Sequence, residues 1–271
     1  MKNKLNLVLN IENDFVIPVN DIDIGKDFVL IAGPCSVESE NQTLEIARAV
    51  KEVGANILRG GVFKPRTSPY DFQGLGKLGL KILKTASEET GLPIITEVMD
   101  VRDIELVNEY ADILQIGSRN MQNYSLLKEI GKIDKPVLLK RGMNSTVNEW
   151  LNAAEYILLG GNKKVILCER GIRTFDWEYN RTLDLNSIPI IKSLTNLPII
   201  VDPSHGTGNQ SIVKPMSFAA IASGVDGLMI EVHNNPKQAL SDRKQQLNLG
   251  QFKILSAKIK ELYEFTKTLN Q

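Results

Sequence analysis

Six cationic side chains recur just past short apolar runs of this chain: Arg59, Lys64, Arg66, Arg119, Lys140 and Arg170, with Arg173 close by as a seventh. Small residues stand beside them (Gly60, Gly61, Gly117, Ser118, Gly142 and Gly171). Arginine forks suit phosphate and carboxylate oxygens. Small neighbours let backbone N–H groups approach an oxyanion. Gathering so many like charges is costly unless an anion neutralises them. The set therefore predicts a site for small polyanions, with room for more than one phosphate. The competing account is a ring of rim salt bridges to Glu97, Glu169 or Asp202. It serves for any single arginine and poorly for the whole set.

A second group is of mixed hardness: Cys35, His205, Glu231 and Asp242. Thiolate, imidazole and two carboxylates suit one divalent ion of the Mn²⁺, Fe²⁺, Co²⁺ or Zn²⁺ kind, and do not suit a pure Mg²⁺ cage. No CxxC or HExxH spacing supports them locally. A lone Cys after a strand is commonly a small buried hydrophobe, and a lone His is commonly a hydrogen-bonded structural residue. Against that, the chain has 2 histidines, and both His205 and His233 follow apolar runs.

These residues need elements to bring them together. The runs ending before them read as strands: 28–32, 55–58, 93–98, 113–116, 136–140, 164–168, 198–201 and 227–232. Helical patterns lie between them, near 40–53, 78–89, 102–110, 125–130, 147–159, 188–194 and 215–223, and a last one runs from about 251 to 268. Ser39 and Gln42 read as a capping-box pair opening the first helix. Strands apolar on both faces and alternating with helices predict a parallel sheet covered by helices. No charged edge strand is present, so a closed (β/α)₈ TIM barrel fits better than an open doubly wound sheet. Polar residues at every strand C-terminus then meet at one mouth, where barrel enzymes work. Residues 1–27 read as an N-terminal extension and residues 28–271 as the barrel. The extension is expected as a hairpin built from Leu5, Val8 and Ile11 and then Phe15 to Val19, plugging the barrel bottom. It is too short to fold as a fused regulatory domain, since domains below about 40 residues rarely stand alone. The expectation is no inhibition by micromolar Tyr or Phe through such a domain.

Composition narrows the classes. The 271 residues carry 32 basic and 32 acidic side chains, so no global field favours nucleic acid or an anionic membrane. No apolar run approaches the ~18 residues of a membrane span. Asn6, Asn10, Glu12, Asn13 and Asp14 interrupt any apolar signal core. Two cysteines make no disulfide framework, so a reducing, cytoplasmic setting is the simpler reading. Gly74 to Gly79 matches G-x-G-x-x-G, but no strand precedes it, so the dinucleotide context fails. Cys168, Met216, Met229 and Trp177 read as packing residues.

At these positions the chain resembles the 3-deoxy-D-arabino-heptulosonate 7-phosphate (DAHP) synthases, in their short type I-beta branch. That branch is close to the 3-deoxy-D-manno-octulosonate 8-phosphate (KDO8P) synthases. The segments that carry the resemblance are Ala32-Gly33-Pro34-Cys35-Ser36, Arg59-Gly60-Gly61, Lys64-Pro65-Arg66-Thr67-Ser68-Pro69, Gln115 to Asn123, Leu139 to Gly142, Cys168-Glu169-Arg170-Gly171, Asp202-Pro203-Ser204-His205 and Asp242-Arg243. The resemblance implies condensation of phosphoenolpyruvate, erythrose 4-phosphate and water at the entry to the shikimate route. It implies one divalent metal on Cys35, His205, Glu231 and Asp242. Arg59 and Lys64 would hold the phosphoenolpyruvate carboxylate side, and Ser118, Arg119, Lys140 and Arg170 its phosphate. Pro65, Arg66 and Thr67 would hold the aldose phosphate, and Asp202 would meet its hydroxyls. It also implies a dimer or tetramer of identical chains. Pro65 and Thr67 favour the four-carbon aldose, because the eight-carbon synthases carry an Ala-Asn-Arg-Ser type segment there. The alternative is a KDO8P synthase using arabinose 5-phosphate.

Lys64, His205 and Asp202 are the candidate catalytic residues. Lys64 is expected to protonate the new alkoxide, with a pKa lowered by the arginines around it. The activator of the attacking water stays open between His205 and a metal-bound water. Two rivals stand beside this reading. One is a Schiff-base aldolase using Lys140, and the other is a phosphate- or metal-binding barrel without activity.

Overall fold

The computed structural model of the chain describes residues 5–175 and 181–269. Residues 1–4 of the expected extension and Trp177 lie outside the described residues. The chain opens with a short hairpin, β1 (Ile17–Val19) and β2 (Ile22–Ile24). The barrel then alternates strand and helix: β3 (Val29–Gly33), α1 (Glu40–Glu52), β4 (Ile57–Arg59), α2 (Lys77–Thr90), β5 (Ile94–Glu97) and α3 (Ile104–Tyr110). It continues with β6 (Ile113–Ile116), α4 (Tyr124–Ile130), β7 (Val137–Lys140), α5 (Val147–Leu159) and β8 (Val165–Glu169). A second small hairpin follows, β9 (Ile172–Arg173) with β10 (Arg181–Thr182). The last units are α6 (Ser187–Leu194), β11 (Ile199–Val201), α7 (Pro203–Thr207), α8 (Gln210–Ala222), β12 (Gly227–Glu231) and α9 (Leu249–Leu269).

Eight strands close a parallel barrel in the order β11-β12-β3-β4-β5-β6-β7-β8. The expected TIM barrel is thus present, and the strands that carry Cys35, His205 and Glu231 at their ends are neighbours. All strand residues of β3, β5, β6, β7, β8 and β12 are buried, one face inside the barrel and the other under helices. Val29, Ile31, Ile57, Ile95, Ile113, Leu138, Ile166, Cys168, Ile200 and Met229 fill the interior. Ile17, Val19 and Ile24 of the leading hairpin join that same cluster, so the hairpin plugs the barrel. Cys168 and Met229 are core residues, and Met216 packs against the outer core. No helix among the described residues is long and apolar enough to cross a membrane.

Three local expectations are corrected. The plug pairs Ile17 with Ile24 and Val19 with Ile22, not the 15–19 run with Leu5 to Ile11. Asn20 takes φ +50 between the two strands, a conformation Asn tolerates. Residues Val8–Asn10 form a 3-10 turn instead, and the N–H groups of Asn6, Leu7 and Val8 leading into it donate to the Glu155 carboxylate on α5. Ser39 does cap α1 by accepting from Gln42 N, but the Gln42 side chain accepts from Glu38 N and does not return to Ser39. Half of the capping box is therefore replaced by a loop clasp. Finally, α8 begins at Gln210, capped by Asn209, and Pro215 sits inside it rather than opening it.

Candidate active site

The strand C-termini deliver Arg59, Glu97, Gln115, Lys140, Glu169 and Glu231 to one mouth, with Asp202 just past β11. All seven are buried. Gly33 makes the turn into this mouth possible. Its φ is +152, and a Cβ there would lie 2.0 Å from the Arg59 carbonyl oxygen. A single cavity is lined by Arg59, Lys64, Pro65, Arg66, Thr67, Ser118, Arg119, Lys140, Arg170, His205 and Asp242. Cys35, Glu231 and Asp202 lie against it, through contacts to Lys64, Arg59 and Lys140. Every residue singled out for chemistry thus gathers at one place, except Arg173, which is exposed on β9. Arg181, across that hairpin, lines the cavity instead. Nothing in the residue pattern marked it, because two-residue strands leave no periodicity to read. Arg141, next to Lys140, turns away and pairs with Glu169 at 2.9 Å and Asp184 at 2.7 Å.

The rim salt-bridge account holds for part of the set. Arg59 Nη1 meets Glu231 Oε1 at 2.7 Å, and Lys140 is paired with Asp202. Arg66 reaches Asp71 only at 3.4 Å. Among the described residues, Arg119 and Arg170 have no carboxylate partner within 4.0 Å. Burial, and then the neighbouring Arg181, destabilise the Arg170 cation. An anion between the two would relieve both effects. The Gly117 backbone leaves no room for a side chain, because a Cβ there would lie 2.1 Å from Glu97 Oε1.

The second group is compact. One ligand atom from each of Cys35, His205, Glu231 and Asp242 lies within 4.8 Å of all the others. Burial raises the Asp202 pKa, but the Lys140 cation and the hydrogen bonds from the His205 ring and backbone outweigh it, so this carboxyl is held well below its usual range. Burial keeps the His205 imidazole below its usual pKa and neutral. Asp202 Oδ2 lies 2.7 Å from His205 Nδ1. An ionised carboxylate has no proton to give, so Nδ1 carries the ring proton and donates it. The lone pair of Nε2 then faces Glu231 Oε1 at 3.3 Å and Asp242 Oδ2 at 3.7 Å. Arg59 Nη1 meets that Glu231 oxygen from the other side at 2.7 Å, and the Cys35 thiol lies 3.2 Å from that Asp242 oxygen. The donor set and the convergence of one atom from each residue fit a divalent metal.

Lys64 corrects an expectation. Its Nζ lies 3.1 Å from Cys35 Sγ and 3.2 Å from the Cys35 carbonyl oxygen. Burial alone would lower its pKa. The Cys35 sulfur and the Glu231 and Asp242 carboxylates outweigh burial and Arg59, so the pKa is raised. Lys64 therefore stays protonated at neutral pH. Cys35 itself is pushed far up by burial and then by Glu231, so without a cation it stays a thiol. Asp242 is held down at about 2, where burial is outweighed by the Lys64 cation and the hydrogen bond from the Cys35 thiol. Two further residues touch the group and escaped the sequence reading, Gln245 and Gln246.

Against known proteins, residues 8–268 match the model of the DAHP synthetase I family. The chain is 51% identical over 250 residues to a phospho-2-dehydro-3-deoxyheptonate aldolase of Thermotoga maritima, covering 92% of this chain and 74% of that one. The crystal structure of the T. maritima phospho-2-dehydro-3-deoxyheptonate aldolase (DAHP synthase) superposes with a TM-score of 0.91 at 49% identity, covering 93% of this chain and 74% of the other. A truncated form of the T. maritima 3-deoxy-D-arabino-heptulosonate 7-phosphate synthase gives a TM-score of 0.87 at 46% identity, covering 93% of both chains. A 2-dehydro-3-deoxyphosphooctonate aldolase of Geobacter sulfurreducens is 31% identical over 271 residues, covering 93% of this chain and 98% of its own. A closed barrel, a cationic mouth beside a Cys-His-Glu-Asp cluster, and a family match across nearly the whole chain place this protein in the DAHP synthetase I family.

Proposed function

We propose that the chain condenses phosphoenolpyruvate with D-erythrose 4-phosphate and water, giving DAHP and inorganic phosphate. The observation that carries this reading is one cavity with cations along its wall and the Cys35-His205-Glu231-Asp242 cluster beside it. Two small polyanions need the first feature, and an aldehyde awaiting a weak nucleophile needs the second.

Arg170, Arg119 and Lys140, with Ser118, hold the phosphate of phosphoenolpyruvate, and Arg59 and Lys64 hold its carboxylate side. Arg66 and Thr67, with Pro65 between Lys64 and Arg66, hold the aldose phosphate, and Asp202 meets its hydroxyls. Thr67 is exposed at the cavity, whereas Cys35 and Glu231 of the cluster are fully buried beside it. An extended four-carbon aldose would therefore direct its aldehyde inward. A divalent ion held by Cys35, His205, Glu231 and Asp242 would supply Lewis acidity toward that aldehyde oxygen.

The bond changes balance as follows. C3 of phosphoenolpyruvate bonds to the aldehyde carbon, and the carbonyl electron pair takes the proton of Lys64 Nζ. Water bonds to C2, where positive charge has developed, and its lost proton restores Lys64. The C2 hydroxyl then forms the C2 carbonyl as the bond between C2 and the bridging oxygen breaks, and phosphate leaves with that oxygen and the hydroxyl proton. Aligning two anions by fixed charges contributes most of the rate. Lys140 is buried and ion-paired with Asp202, which argues against its use as a Schiff-base amine.

Phosphoenolpyruvate carrying ¹⁸O in the bridging position tests this sequence of bonds. All label should appear in inorganic phosphate. Label retained in the sugar acid would contradict the proposal. Borohydride added during turnover should leave no adduct on Lys140, and a stable adduct would favour the aldolase rival.

A further inference from the structure

Of the four residues of the cluster, Asp242 has the least regular support. It follows β12 in an irregular segment and takes φ +46, a strained conformation for a residue with a side chain. Cys35, His205 and Glu231 stand on or beside strand ends, so something must fix Asp242 against them. Residues 245–247 are fastened to the end of β12. Leu247 N donates to Glu231 O, and His233 N to Leu247 O, each at 2.9 Å. From this fastened segment the two glutamine side chains reach in different directions.

Gln245 Nε2 donates to Glu231 Oε2 at 2.7 Å and lies 3.3 Å from Asp242 Oδ2. Its amide carries two protons, one for each carboxylate. It stands between two anions that would otherwise repel, and it leaves Glu231 Oε1, which also accepts from Arg59 Nη1, facing His205 Nε2. Gln246 is fully buried. Its Oε1 accepts from Cys35 N at 3.0 Å, and its Nε2 donates to Ser241 O at 2.9 Å. It thus ties the backbone next to one ligand to the backbone next to another.

The geometry points to Gln245 as a positioning residue that sets the affinity of the cluster for its metal, by holding Asp242 and Glu231 at a fixed spacing and orientation. Gln246 locks the Cys35 and Asp242 loops in that register. The inference rests on the proposed metal reading. Donors that orient the ligands of a metal typically contribute a factor of about 10–100 in affinity.

The metal-stripped full chain is titrated with Co²⁺, following the near-ultraviolet thiolate-to-cobalt band and the visible cobalt bands. Wild type should develop the thiolate band, and C35S should not. Gln245→Leu keeps volume without a donor, and Gln245→Ala removes both. Each should weaken Co²⁺ binding about 10–100-fold and alter the visible bands, with the melting temperature of the metal-free chain near wild type. Gln251→Ala, at a surface glutamine that bonds Gln210 and Asn248, should bind as wild type. Binding within twofold of wild type in both Gln245 variants would overturn the inference and leave the metal reading standing. No thiolate band in wild type would remove the metal reading, and this inference with it.

Discussion

His205 Nδ1 lies 2.7 Å from Asp202 Oδ2, and this contact decides which ring nitrogen faces the cluster. Asp202 also receives Lys140, so one buried carboxylate links the cationic mouth to the imidazole. Asp202→Asn keeps the shape, but the amide nitrogen can occupy the Nδ1 side and favour the wrong tautomer. Metal affinity should fall by about 10–100-fold, with turnover falling at least as far. Co²⁺ titration and steady-state kinetics check this, and unchanged affinity would detach Asp202 from the imidazole's orientation.

The two cysteines should behave oppositely. Cys35→Ser should lose the thiolate band and metal-dependent turnover while keeping its circular dichroism spectrum. Cys168 is buried inside the barrel. Cys168→Ala should keep metal binding and activity, with a loss of about 1 kcal/mol typical of a single core substitution, read from a urea midpoint. Wild-type turnover in Cys35→Ser would remove Cys35 from the metal site.

Arg66 and Arg119 should separate the two substrates. Arg66→Ala is expected to raise KM for erythrose 4-phosphate about tenfold or more, the loss of a charge-assisted contact of ~1.5–3 kcal/mol, with little change for phosphoenolpyruvate. Arg119→Ala should do the reverse. Equal effects of both variants on both substrates would show that the cations act as a shared field and not as two subsites.

The plug should matter for stability. Ile17 is fully buried against the inner core. Ile17→Ala should cost about 2–5 kcal/mol, from lost transfer energy and the cavity left behind. A change under about 0.5 kcal/mol in the urea midpoint, the range of surface substitutions, would mean the hairpin does not seal the barrel.

Glu38 gives an acid-side prediction. Burial opposes its ionisation, but the facing His233 ring, the Leu240 N–H and the Ser36 hydroxyl outweigh burial and hold its pKa below the usual carboxylate range. A depressed folded pKa contributes stability that is fully present above the unfolded value, near 4.3. That contribution is lost as pH falls through the folded value. Glu38→Gln should therefore be less stable than wild type near pH 7, and the gap should narrow below about pH 4. A gap independent of pH would assign the effect to packing alone.

The barrel was legible because strand runs such as Val137 to Lys140 are apolar on both faces and end in a polar group. The site was legible for the same reason, since strand ends in a closed parallel barrel must meet. What stayed hidden is support that comes from loops. Arg181 replaces Arg173 at the cavity because a two-residue hairpin reverses there, and side-chain period cannot show that. Gln245 and Gln246 look like any exposed polar pair until Leu247 is seen fastened to β12. Pro215 read as a helix start because its missing N–H suits a first turn, yet Asn209 caps the helix six residues before it. The lowered pKa expected for Lys64 counted its arginine neighbours and missed the carboxylates packed against it.

Phosphate release by the metal-stripped protein tests the central claim most directly. It is measured with phosphoenolpyruvate and either erythrose 4-phosphate or arabinose 5-phosphate, with and without Mn²⁺. Release with erythrose 4-phosphate, dependent on the added metal, is the predicted result. Release only with arabinose 5-phosphate, or equal release without metal, would contradict the account.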